Sequence, residues 1–173
     1  MVVTRCDLPT STAIESEMVQ RAFFTDSYRV PLRRADASVV DIFIAIFGHH
    51  PVWLKSVLLV RHRVGALFGL RAARASQILG PAKAESYRVG QDIGRWPIHF
   101  LGESELVAGT NDKHLDFRVS VLRHGSGEAA FATISTVCRT HNGFGNAYLR
   151  LIAPFHSWGV QYLLSRASQA GRL

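Results

Sequence analysis

Three side chains that can move or hold charge stand on alternate positions of one stretch, His114-Leu115-Asp116-Phe117-Arg118-Val119-Ser120-Val121. A carboxylate beside an imidazole raises the imidazole's basicity, which suits a general acid–base pair made of His114 and Asp116. The same residues also make ordinary surface ion pairs with Arg118, each worth at most about 1 kcal/mol. A metal reading takes Asp112, His114, Asp116 and His141, because alternate strand positions set ligands on one face. No H-x-x-x-H spacing or cysteine pair supports that set, and the expectation is no metal and no cofactor.

Further along, His141-Asn142 and His156 bracket a loop and a helix start, where they can converge with Tyr148. His156 is the third catalytic candidate; the alternative is a packed histidine on an aromatic helix. Asn142 and His141 equally suit the satisfaction of backbone groups in a turn. Gly143-Phe144-Gly145 does not fit a dinucleotide-binding fingerprint. Cys138 falls on the apolar face of its segment and is expected to be inert core.

The elements that must position these residues follow from periodicity. Leu115, Phe117, Val119 and Val121 face one way and His114, Asp116, Arg118 and Ser120 the other, the pattern of a strand with one buried face. Strands are predicted at Trp96–Leu101, Glu105–Gly109, Lys113–Leu122 and Ala129–Thr140, with a possible short one at Ser86–Val89. Short turn-rich gaps between them connect antiparallel neighbours. Folding the last pair about the middle of Gly125–Gly127 sets Asp116 near Thr136 and Arg118 near Ile134. Phe23–Leu32 reads as extended, with Pro31 suited to an edge. A buried helix is predicted over Val39–Phe47 and a second from Pro51 through Phe68. A long C-terminal helix carries Tyr148, Leu151, Ile152, Phe155, Trp158, Tyr162 and Leu163, and Pro154 is expected to kink or restart it.

Composition sets the class. The 173 residues form one domain, 23–173, after a leader, 1–22, in which Ile14, Met18 and Val19 suit a short amphipathic helix. The start reaches a charge too soon for a signal peptide, and two distant cysteines, Cys6 and Cys138, fit a reducing cytoplasm. The net charge of +7 comes from 17 arginines and 3 lysines against 13 acids. The bases are scattered, so nucleic acid is not expected. Charges at Lys55, Arg61 and Arg63 argue against a membrane span, but a basic surface helix over Pro51–Arg74 allows weak membrane-surface contact.

Several stretches together resemble the bacterial family known as domain of unknown function 2867. They are Asp26-Ser27-Tyr28, Pro51-Val52-Trp53-Leu54, His114 to Val121, Thr136-Val137, His141-Asn142, Gly145-Asn146-Ala147-Tyr148 and Pro154-Phe155-His156, spanning about residues 24 to 166. The resemblance implies a helix-grip, START-like α+β fold of the polyketide-cyclase type, with a pocket for a small apolar molecule.

The expected architecture is a curled antiparallel sheet gripping the C-terminal helix, with two helices inserted after the first strand. The expected ligand-binding residues are Trp96, Phe100, Phe117, Arg118, His141, Tyr148, Phe155 and Trp158. The partner is then a small apolar molecule, and the protein a monomer or homodimer. A cyclase- or isomerase-like enzyme using His114 and Asp116, and a membrane or protein-interaction domain, are the alternatives.

Overall fold

The chain's period-two segments pair into one sheet, as a computed structural model describing residues 2–34, 36–49 and 87–173 shows. In chain order the elements are β1 (Thr4–Arg5), α1 (Ser16–Gln20), β2 (Phe24–Pro31), α2 (Val39–Phe47) and β3 (Asp92–Ile93). They continue with β4 (Trp96–Leu101), β5 (Glu105–Asn111), β6 (Leu115–His124), β7 (Phe131–Thr140) and α3 (Gly143–Gln169). The sheet has the spatial order β1-β2-β7-β6-β5-β4-β3 and is antiparallel throughout. It is curled and open, and the class is α+β, with a long terminal helix.

Local chemistry sets the helix ends. Ser38 caps α2, its hydroxyl accepting from the Asp41 amide while the Asp41 carboxylate accepts from the Ser38 amide. That reciprocal box satisfies two donors that the first turn would leave open. Asn142 caps α3 by accepting from the Gly145 amide at 3.0 Å, and its own amide donates to the Lys113 carbonyl. Pro154 neither breaks nor restarts α3, which runs on through it. Its ring costs one backbone bond.

Packing divides the sheet into two faces. On one, α2 and α3 cover Tyr28, Val30, Leu106, Val119, Val121, Ala132 and Ile134, all buried. On the other, the leader lays Ile14 and Met18 over Val107 and Val137. Each such side chain, fully buried, stabilises the fold by about 1.5–3 kcal/mol. The leader therefore straps the far side of the sheet: β1 extends the edge beside β2, and α1 sits across β7.

Three expectations need correction. Tyr87–Val89 forms no strand; it leads through a turn into the two-residue β3. The β6–β7 pairing sets Asp116 opposite Arg139 and Arg118 opposite Val137, instead of Thr136 and Ile134. A 3-10 turn at Gly127–Ala129 follows Gly125, and Gly125 and Gly127 take positive φ, so the fold point lies beyond Ser126. Phe100 leaves the face of Trp96 because a bulge between Ile98 and Phe100 reverses the alternation. The helix expected from Pro51, with the basic surface Pro51–Arg74, lies outside the described residues.

Candidate functional site

The polar face of β6 lies under the leader strap, away from α3. Asp116 and Arg118 are each only 5% exposed, so they are not the surface pair of an isolated strand. Asp116 accepts from Arg139 at 2.8 Å and faces His141 Nε2 at 3.0 Å. Arg118 donates through Nε and one terminal nitrogen to Glu15 Oε1, at 3.2 and 3.1 Å, and through the other to Asn111 Oδ1 and the Phe117 carbonyl. Glu17 of α1 reaches Arg139 at 3.4 Å and Arg21 at 3.2 Å. A cleft of about 180 Å³ opens among Glu15, Glu17, Met18, Asn111, Asp116, Arg118 and Arg139.

Two features give this network its geometry. Gly109 stands opposite Arg118, and a side chain there would run into the Phe117 carbonyl and the Arg118 stem. Glu105, 3% exposed, accepts from the Thr12 hydroxyl at 2.6 Å, the Ala13 amide at 2.7 Å and the Ser120 hydroxyl at 2.5 Å. The buried carboxylate thereby pins the strap to β5 and β6.

Electrostatics agree with a saturated cluster. Burial pushes the Asp116 carboxyl up, but hydrogen bonds and charge from His141 and Arg139 outweigh it and hold it below the ordinary carboxylate range. Burial likewise raises Glu15, and hydrogen bonds from its own backbone and from Arg118 bring it down overall. His99, at the bulge, is lowered by burial and by the nearby Arg118 charge, and its buried Nε2 has no hydrogen-bond partner.

The other face carries a sparser polar seam. Asp26 of β2 has a fully shielded side chain. Its Oδ2 accepts from Ser157 at 2.9 Å and from the Tyr28 hydroxyl at 3.3 Å. Its Oδ1 receives no hydrogen bond, and His156 Nε2 stands 3.8 Å away. That same nitrogen is 3.1 Å from Thr136 Oγ1, and Phe24 meets the imidazole edge-on at 5.8 Å. Gln161 donates to the Tyr28 hydroxyl at 3.4 Å. Phe117 lies one diagonal step from Thr136 on this face, and Trp96 packs on it with ring centres 5.4 Å apart.

The structure thus separates the residues that the sequence grouped. Asp116, Arg118, His141 and Phe100 lie on the strap face. Trp96, Phe117 and His156 lie on the α3 face. His114 closes the end of β6 against Asn142, 3.1 Å from its amide nitrogen, with Phe144 at 4.6 Å between ring centres. The oxygens of Asp116 are engaged by Arg139 and His141, so a His114–Asp116 pair is not what this geometry builds. Tyr148, Phe155 and Trp158 lie along α3, with Phe155 and Trp158 exposed. Among the described residues no three of His, Cys, Asp and Glu gather to hold a metal, so the quartet Asp112, His114, Asp116 and His141 is not assembled.

Asp26 escaped sequence reasoning because β2 shows only one acid among mixed residues. A signal was present in Asp26-Ser27-Tyr28, a stretch that carried the family resemblance. With Thr136-Val137 and Pro154-Phe155-His156 it meets at this seam. The family described as Protein of unknown function (DUF2867) matches residues 18–163. The chain belongs to that family. No curated protein and no solved structure matches it. In this DUF2867 chain the match spans α1 through most of α3, taking in both the strap face and the Asp26–His156 seam.

Proposed function

We propose that this DUF2867 protein binds a small molecule, largely apolar with one hydrogen-bonding or anionic group, between the sheet and α3. The carrying observation is Asp26: a shielded carboxylate that keeps one oxygen without a donor, facing His156. Burying a carboxylate without a full donor set is costly, and such an arrangement marks a functional site more often than a packing site. Asp26 orients the imidazole, whose ring is one-third exposed, and favours its protonated form. Trp96 and Phe117 supply an apolar wall on the same face. A few placed polar groups beside aromatic walls are the usual make-up of a ligand site.

The same pair supports a second reading, an enzyme in which His156 acts as general base with Asp26 behind it. Native mass spectrometry of the purified protein tests the first reading. The expected result is a co-purifying small molecule on the unmodified chain, lost from His156→Ala and from Asp26→Asn. Retention by both variants, or no adduct and no thermal shift with a panel of lipophilic carboxylic acids, sinks it. If His156→Ala keeps the molecule bound but stops its conversion, the enzyme reading replaces it.

A further inference from the structure

The outer side of α3 carries large apolar side chains in solvent. Leu151 is 67% exposed, Phe155 68% and Trp158 57%. At spacings of four and three residues they lie on one helical stripe, which Phe144, 39% exposed, extends toward the N-terminus. The side chains α3 buries, Leu149, Val160, Leu163 and Leu164, lie roughly opposite. Core packing therefore does not account for the stripe, and adjoining exposed apolar groups of this size mark an interaction surface.

The charge around it selects the partner. From Ala129 to Leu173 the chain contains four arginines and no aspartate or glutamate. Arg166 continues the stripe one turn beyond Tyr162, to whose hydroxyl it donates at 3.4 Å, and the Arg150 guanidinium sits 5.6 Å from the Phe23 ring centre. No helix among the described residues is long and apolar enough to cross a membrane.

We propose that α3 docks in the plane of an anionic membrane surface, with Leu151, Phe155 and Trp158 entering the headgroup boundary and Arg150 and Arg166 meeting lipid phosphates. A helix that pairs exposed Trp, Phe and Leu with flanking bases and no acids has the composition for that interface. A second copy fits less well, because pairing two such helices brings arginines together with no carboxylate on either helix to face them.

The test is co-sedimentation of the full chain with vesicles of mixed phosphatidylcholine and phosphatidylserine at low salt. Binding is expected, with a blue shift of tryptophan emission that Trp158→Phe diminishes while leaving the protein bound. Leu151→Ser/Phe155→Ser/Trp158→Ser is expected to weaken binding by on the order of a hundredfold, from three lost apolar contacts. The thermal midpoint of this triple variant should hold, because all three side chains are already in solvent. No binding at low salt, or undiminished binding by the folded triple variant, overturns the proposal. So does a dimer in solution that the triple variant dissociates, which assigns the stripe to a second copy.

Discussion

The two faces of the sheet handle buried charge differently. Beneath the strap, Glu105, Asp116 and Arg118 each have a set of partners, and the acids of α1 complete the network from outside. Against α3, Asp26 is as deeply buried as Glu105 but leaves one oxygen open. Crowded titratable groups are thus the fastening of a leader here. The sparse pair Asp26 and His156 has the form of a site. A saturated network rigidifies, while a partly satisfied one is tolerated where function needs it.

Removing the fastening should give the largest effect. Glu105→Ala leaves the Thr12 hydroxyl, the Ala13 amide and the Ser120 hydroxyl without their acceptor. The expected loss is about 3 kcal/mol of unfolding free energy in urea. Earlier proteolytic cleavage within residues 2–22 should accompany it. Unchanged stability would mean that the strap is not held there.

The strap face should also set the acid limb of stability. A carboxyl whose folded pKa is depressed contributes stability that is complete above its unfolded pKa and is lost as pH falls through the folded value. Asp116 and Glu15 are both depressed. Stability should therefore decline on acidification below about pH 4. Urea midpoints measured across pH should show a shallower decline in Asp116→Asn. Parallel curves for the two proteins would contradict the assigned network.

The α3 face should give the smallest change in stability. Asp26→Asn keeps shape and can retain the Ser157 and Tyr28 bonds, while removing a buried charge that lacks a full donor set. The expected shift is below about 1 kcal/mol, of either sign. A loss as large as that of Glu105→Ala would make Asp26 another fastening and erase the contrast between the faces.

Much of the fold is legible in local pattern. The alternation of Leu115 to Val121 gives β6, Ser38 with Asp41 gives the start of α2, and Asn142 followed by an aromatic periodicity gives α3. The site is less legible because it depends on faces. Shifting the β6–β7 fold point beyond Ser126 exchanges Thr136 for Arg139 opposite Asp116, and a one-residue bulge moves Phe100 across the sheet. Neither the 3-10 turn nor the bulge leaves a periodic trace.

By itself the sequence determined the antiparallel α+β class, the family, and the polar composition of β6, because these rest on spacing within short segments. Only the tertiary structure decided that the leader covers that polar face and that Asp26 meets His156 across 130 positions of chain. Local periodicity says that a strand has two faces. Which neighbour covers each depends on register and on contacts between distant segments, and these are settled by the free energy of the whole packed chain.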